Sequence, residues 1–251
     1  MHPGKTPVLE EQMAEGKRGV ATKESGPRRS KGWVVYLDVY GFAASVEDEK
    51  QMMPVTRRLV RALAKLDEGI DWAGRTPRRL AFSDSLFLFY PARRGQTRTD
   101  ALQDCVADVE QVMRVYADES LPLRGGLAFG NVVSGPGILV GAPVVRAYRY
   151  EGLMPAPLAL VPKNEMIDPR HPTEFDWEVV TEKLSLKDDM VMDGMLVMPS
   201  PIEWFATLVE RKLGEHAISG PYDVALAWMK AREFVQNRIG RWRRDSDAPT
   251  P

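Results

Sequence analysis

The sequence has 251 residues, of which 44% are hydrophobic and 27% are charged, and its formal net charge is -1. These values are ordinary for a globular protein, and the near-neutral charge argues against nucleic acid as a partner. No apolar run approaches the ~20 residues that span a bilayer, and the first residues lack a signal-peptide core, so we expect no stable membrane insertion. A single cysteine, Cys105, excludes an internal disulfide framework and favours a reducing compartment, which we expect to be the cytoplasm.

The predicted elements alternate between strand and helix after a polar tail. Residues 1–30 contain no aromatic residue and are predicted to be disordered. The hydrophobic pattern then predicts a buried strand at 33–38, a helix at 50–68, two strands joined by a tight turn within 78–91, a helix at 98–118, a strand, glycine turn and return strand within 121–135, a short helix at 142–152 and a strand at 156–162. This order predicts an α+β fold with a mixed sheet and helices.

The last third of the chain has a different character. A β-rich segment is predicted first, then a helix from Ser200 and a last helix from about Tyr222 to Arg244. We assign residues 166–245 to an accessory extension packed on the domain or on a second subunit, and 246–251 to a frayed tail. The last helix has a basic face, which we interpret as solvated rather than as a surface for membranes or nucleic acid.

Two aspartates stand where predicted strands end. Asp38 closes the strand "VVYLD", and Asp84 lies in the Ser-Asp-Ser turn within 78–91. If these strands are neighbours, the two carboxylates meet at one edge of the sheet and repel each other unless cations lie between them. Many enzymes that catalyse displacement reactions at phosphorus use two metal ions bridged by two aspartates. An aspartate at a strand end is more often a turn-former than a ligand, so position alone leaves both interpretations open.

Four short segments extend this pattern between residues 33 and 162. They are "YLDVYGF" (36–42), "RRLAFSDSLFLFY" (78–90), "LRGGLAFGNVVSG" (123–135) and "VGAPVVRAYRYE" (140–151). In this order they resemble the opening, the second aspartate motif, the Arg-x-Gly-x-x-x-Gly hairpin and the Ala-x-Arg-x-Glu segment of class III nucleotide cyclase domains. The resemblance implies a cyclase domain over residues 31–165 with a ferredoxin-like βαββαβ core and a C-terminal helical extension.

The resemblance also implies roles for individual residues. Asp38 and Asp84, with the backbone carbonyl of Val39, would hold two divalent metal ions, Mn²⁺ or Mg²⁺. Arg149 would stabilise the charge that develops on the phosphoryl group, and it would come from the partner chain because the site forms across a head-to-tail homodimer. The turn after Asp38 would hold the triphosphate of the substrate through Tyr40, Gly41 and Phe42.

Three positions depart from the pattern of the purine cyclases. The asparagine that orients the ribose falls at Val145, the base-reading lysine at Leu80 and the second base reader at Ile138. Because both purine readers are hydrophobic, the site lacks the hydrogen bonds that would discriminate a purine. Either the domain is an inactive cyclase or it binds another base, and the retained aspartates and Arg149 favour the second explanation.

Within the class, the chain is most similar to the Pycsar pyrimidine cyclases of bacterial anti-phage defence. This resemblance implies a lyase that converts UTP, in preference to CTP, to the 3',5'-cyclic monophosphate and pyrophosphate, a second messenger read by a downstream effector. Tyr36 and Phe82, each two residues before an aspartate, could narrow the base pocket, and Arg79, Tyr148 and Tyr150 are further candidates for reading the base. The alternatives are an adenylate or guanylate cyclase with an atypical pocket and an inactive cyclase fold that senses nucleotides.

Overall fold

The computed structural model describes residues 26–69, 72, 76–166, 182–187, 190–198, 202–219, 226 and 228–236. The predicted N-terminal tail up to residue 25, Ser200 and the predicted frayed end lie outside the described residues. The strands are β1 (Arg28–Val39), β2 (Arg78–Phe82), β3 (Ser85–Pro91), β4 (Leu123–Gly135), β5 (Ile138–Val140), β6 (Ala159–Pro162), β7 (Glu182–Ser185) and β8 (Val191–Val197). The helices are α1 (Phe42–Glu47), α2 (Glu49–Gly69), α3 (Arg98–Asp118), α4 (Ala142–Leu153), α5 (Lys163–Met166) and α6 (Ile202–Ser219), and residues 228–236 are also helical.

The strands form one mixed sheet in the order β2-β3-β1-β4-β6-β8-β7, with β5 paired to β4. The pairs β2–β3, β3–β1 and β1–β4 are antiparallel, whereas β4 and β6 are parallel. The order β2-β3-β1-β4, with helices after β1 and after β3, is that of a ferredoxin-like βαββαβ core. The predicted α+β fold with a mixed sheet is therefore confirmed.

The central strand β1 is buried on both faces of the sheet. Its side chains alternate, so that Trp33, Val35 and Leu37 pack into the larger core with α2 and α3. Val34 and Tyr36 lie on the opposite face, where they pack against residues of β3, β4 and α4. The same alternation places Asp38 on the α4 face, at the end of the strand.

The predicted glycine turn within 121–135 is wrong, because these residues form the single long strand β4. The chain turns only afterwards, at Gly137 with a φ of 65°, and returns as β5. The strand glycines allow close packing instead of a turn. A Cβ on Gly126 would lie 2.5 Å from the Cβ of Tyr150, and a Cβ on Gly130 would lie 2.8 Å from the Cγ of Pro143, both on α4.

One boundary also differs from the prediction. Strand β1 begins at Arg28, inside the predicted tail, because β4 is long enough to pair with it from Ser134 onward.

The C-terminal segments share a core with the sheet. Strands β7 and β8 lie in the predicted β-rich segment and pair antiparallel with each other. Strand β8 also pairs with β6, so the two strands extend the main sheet. Side chains of β6, β8, α6 and the helical residues 228–236 pack together in a second core, with Phe205 and Trp228 among its largest members. Among the helices of the described residues, none is long and apolar enough to cross a membrane.

Candidate functional site

The fold brings Asp38 and Asp84 together at one edge of the sheet. Strand β3 starts beside the end of β1, because Leu37 pairs with Leu86. The tight turn between β2 and β3 contains Ser83, with a φ of 55°, and Asp84, and it leads directly into Ser85. The Ser85 hydroxyl donates a hydrogen bond of 2.9 Å to Oδ1 of Asp38, which fixes the turn against the strand end.

The charge on Asp38 is poorly solvated. Burial raises the pKa of its carboxyl group, and the nearby carboxylate of Asp84 raises that pKa further by like-charge repulsion. The hydrogen bond from Ser85 and the positive charge of Arg124 act in the opposite direction. The net effect is a site where negative charge is held at a cost in free energy, which a bound cation would relieve.

Arg124 of β4 is the positive group beside this pair. It is paired in register with Asp38, and its Nη2 atom lies 3.9 Å from Oδ2 of Asp38. Its Nε atom forms an ion pair with the buried carboxylate of Glu151 on α4, and its guanidinium lies 5.2 Å from the ring centre of Tyr40. Burial raises the pKa of Glu151, and Arg124 opposes that rise.

Tyr36 forms an aromatic wall next to the carboxylates. Its ring centre lies 4.6 Å from that of Phe87 and 5.3 Å from that of Tyr148 on α4. Its hydroxyl lies 2.9 Å from Oγ of Ser85. Burial raises the pKa of Tyr36 to about 12, so the hydroxyl stays protonated at neutral pH.

The turn after Asp38 is a sharp one. Gly41 has a φ of 78°, which a residue with a side chain rarely adopts, and it precedes the first turn of α1. The backbone N–H of Tyr40 donates to the carbonyl of Pro122 at 2.8 Å. The side chain of Val39 lies in the larger core, and that of Phe42, which is half-buried, packs against it.

Other predicted site residues stand apart from this cluster. Phe82 is 78% exposed at the end of β2, so it does not wall a pocket within one chain. Arg149 is exposed on α4, one residue from Tyr148. Arg79 forms an ion pair with Asp67, and the Tyr150 hydroxyl donates to Glu165 at 2.9 Å, so both are engaged within the protein.

Three members of the cluster have no individual role predicted from the sequence. Ser85 is predicted only as part of a turn, and Arg124 and Glu151 only as members of a motif. The register of β1 with β4 and the packing of α4 bring them to Asp38. A signal was present, because Arg124 is a charged residue in the otherwise apolar and glycine-rich run "LRGGLAFG".

The donor set suits hard cations. Within the part of the chain that the structure describes, no group of three or more His, Cys, Asp or Glu side chains could hold a metal. Two carboxylates at a strand end are nevertheless the set that Mg²⁺ and similar ions use when water and substrate phosphates complete their coordination. The raised pKa of Asp38 next to Asp84 fits such a use.

No protein-family model matches the sequence, and a comparison with curated proteins returned no match. The chain is similar to several solved structures of cyclase domains. One is the guanylyl cyclase domain of the RhoGC fusion protein from Blastocladiella emersonii, at 16% identity and a TM-score of 0.49, covering 70% of this chain and 98% of that one. Another is the adenylyl cyclase CyaB from Pseudomonas aeruginosa, at 16% identity and a TM-score of 0.44, covering 70% and 97%. A third is an adenylate/guanylate cyclase/hydrolase from Silicibacter pomeroyi, at 15% identity and a TM-score of 0.42, covering 69% and 99%. At these TM-scores the likeness supports no inference about activity.

Proposed function

We propose that this chain is a metal-dependent nucleotide cyclase that acts on a pyrimidine nucleoside triphosphate, with UTP preferred to CTP. The observation that carries the proposal is the convergence of Asp38 and Asp84 at one sheet edge, with Arg124 beside them. Placing two carboxylates that repel each other side by side costs free energy. Holding metal ions for phosphoryl transfer is a function that requires this arrangement.

The residues of the site would bind the metal ions and the triphosphate. Asp38, Asp84 and the backbone carbonyl of Val39 would hold two divalent ions, Mn²⁺ or Mg²⁺. Such ions, when bound, lower the pKa of an attacking hydroxyl and neutralise phosphate charge. The turn through Tyr40, Gly41 and Phe42 would seat the triphosphate on its backbone after Tyr40, because the N–H of Tyr40 itself donates to Pro122.

In the reaction, the 3'-oxygen of the ribose forms a bond to the α-phosphorus while the bond to pyrophosphate breaks. The hydroxyl proton leaves to solvent, so the products are the 3',5'-cyclic monophosphate and pyrophosphate. Arg149 would stabilise the negative charge that develops on the phosphoryl oxygens, a contact that is worth orders of magnitude in rate in phosphoryl transfer.

Two copies of the chain would complete each site. Arg149 is exposed, so it is available to a partner chain in a head-to-tail homodimer. Exposed apolar side chains also stand on β2, β5 and α4, which is typical of a surface that becomes buried. They are Phe82, Ile138, Val140, Val145 and Tyr148, between 46% and 78% exposed.

The preference for a pyrimidine depends on the aromatic wall. Tyr36 with Phe87 and Tyr148 fills space next to the carboxylates, and Leu80 offers no hydrogen bond to a purine edge. An adenylate or guanylate cyclase with an atypical pocket fits the same carboxylate geometry equally well, so the base has to be identified from the product. The cyclic nucleotide would act as a second messenger in antiviral defence and would be bound by a downstream effector.

The experiment compares wild-type protein with the Asp84→Asn variant, using Mn²⁺ and a mixture of the four ribonucleoside triphosphates. We expect pyrophosphate release by the wild type, together with a cyclic nucleotide in equal amount, and a loss of at least about 1,000-fold in the variant, because a metal ligand is removed. Equal pyrophosphate release by both proteins would refute the two-carboxylate site. Pyrophosphate without any cyclic product would refute the cyclase assignment.

A further inference from the structure

We infer that Tyr36 and Ser85 form a hydrogen-bonded relay that positions the carboxylate of Asp38, and that Tyr36 thereby couples the aromatic wall to the metal-binding group. This inference rests on the proposed function, because it concerns the same site. It assigns Ser85 a role as a positioning residue and gives Tyr36 a second role that is separate from its ring.

The direction of the relay follows from the number of hydrogens. Ser85 has one hydroxyl hydrogen, and the geometry directs it to Oδ1 of Asp38 at 2.9 Å. The contact of 2.9 Å between the Tyr36 hydroxyl and Oγ of Ser85 therefore has Tyr36 as its donor.

The relay leaves one oxygen of Asp38 for other partners. Oδ1 is held by Ser85, whereas Oδ2 lies 3.9 Å from Nη2 of Arg124 and has no shorter contact to that group. A carboxylate that is fixed at one oxygen presents the other in a defined direction, which is how outer partners orient metal ligands in proteins. Without Ser85, the side chain could rotate toward the guanidinium of Arg124.

The relay also connects two parts of the site that are otherwise separate. The Tyr36 ring touches Phe87 on the neighbouring strand and Tyr148 on α4, while its hydroxyl reaches Ser85. A base that displaces the ring therefore moves the hydroxyl and, through Ser85, the carboxylate. A badly fitting base would be rejected through poor metal binding as well as through poor contact.

The test measures binding of Mn²⁺ alone, without nucleotide, by electron paramagnetic resonance of the free ion, and thermal unfolding of each variant. Ser85→Ala should weaken binding roughly 10- to 100-fold, the usual effect of losing a partner that orients a metal ligand. Tyr36→Phe keeps the ring and should weaken binding by about 2- to 10-fold, as expected for one neutral hydrogen bond. Ser85→Thr should restore binding to within about threefold of the wild type, because it restores the hydroxyl.

A matched control removes a hydroxyl without touching the relay. Ser83→Ala alters the same turn and should bind Mn²⁺ like the wild type. If Ser85→Ala and Tyr36→Phe stay folded and bind Mn²⁺ within twofold of the wild type, while Asp38→Asn does not bind it, the relay is wrong and the proposed function stands. If Asp38→Asn binds Mn²⁺ as tightly as the wild type, the metal site and the relay both fail.

Discussion

Gly126 of β4 provides a sensitive test of how α4 is held over the site. A Cβ at this position would lie 2.5 Å from the Cβ of Tyr150 and 2.8 Å from the backbone nitrogen of Glu151, and it would also collide with the carbonyl oxygen of Ala147. Two of these three atoms belong to the backbone, so no side chain can turn away to make room. Ordinary contacts begin at 3.4 Å, so the Gly126→Ala variant must push α4 outward by nearly 1 Å.

The expected cost follows from this overlap. Inserting a methyl group into a well-packed interface costs typically 1–3 kcal/mol. In a domain of this size, each kcal/mol corresponds to about 2–4 °C, so the melting temperature should fall by roughly 2–12 °C. Activity should fall as well, because α4 carries Tyr148, Arg149 and Glu151, and a misplacement of about 1 Å can cost 100-fold in rate.

The assay is thermal unfolding together with cyclase turnover, and Gly152→Ala is the matched control. Gly152 lies on α4 itself, and a Cβ there would meet no atom within 4 Å. Alanine in a helix is favoured over glycine by about 0.5–1 kcal/mol, so this variant should be slightly more stable than the wild type. A Gly126→Ala protein that is as stable and as active as the wild type would refute the close packing of α4 on β4.

Three further predictions concern the carboxylates and the dimer. Asp38→Ala and Asp84→Ala should each abolish turnover while leaving circular dichroism spectra unchanged, and an active Asp84→Ala enzyme would argue against the paired site. Asp38→Asn should unfold at a higher temperature than the wild type at pH 7, because folding raises the pKa of Asp38 and so disfavours its charged form. The difference in melting temperature should shrink as the pH falls through that raised pKa. Equal melting temperatures at every pH would count against the raised pKa. Mixing inactive Asp38→Ala with inactive Arg149→Ala chains should restore part of the activity if sites are shared, whereas a verified heterodimer without activity would exclude the head-to-tail arrangement.

The fold was predictable from the sequence where one hydrophobic pattern determined one element. Helix α3, for example, has the predicted bounds of 98–118, since Thr97 caps it and its apolar residues repeat at helical spacing. The glycines of β4 were misleading, because a glycine that permits close packing looks the same in sequence as one that permits a turn. The two interpretations separate only when the position of α4 is known.

The candidate site was predictable only in part, for a similar reason. Asp38 and Asp84 could be proposed as a pair because each ends a strand, and the structure places them together. Ser85 and Glu151 could not be proposed, because their contacts depend on strand register and on how α4 docks. In the proposed head-to-tail dimer, the position of Arg149 relative to Asp38 would depend on a second chain, which the sequence of one chain does not place.

The central claim is that this chain cyclises a pyrimidine nucleoside triphosphate. The most direct measurement is to incubate the purified protein with Mn²⁺ and each of the four ribonucleoside triphosphates separately, and to identify the product by mass spectrometry, with Asp38→Ala as the blank. We predict 3',5'-cyclic UMP as the main product, less cyclic CMP, and no product from the variant. Cyclic AMP or cyclic GMP as the main product would contradict the pyrimidine assignment, and no cyclic product from any of the four triphosphates would contradict the enzyme assignment itself.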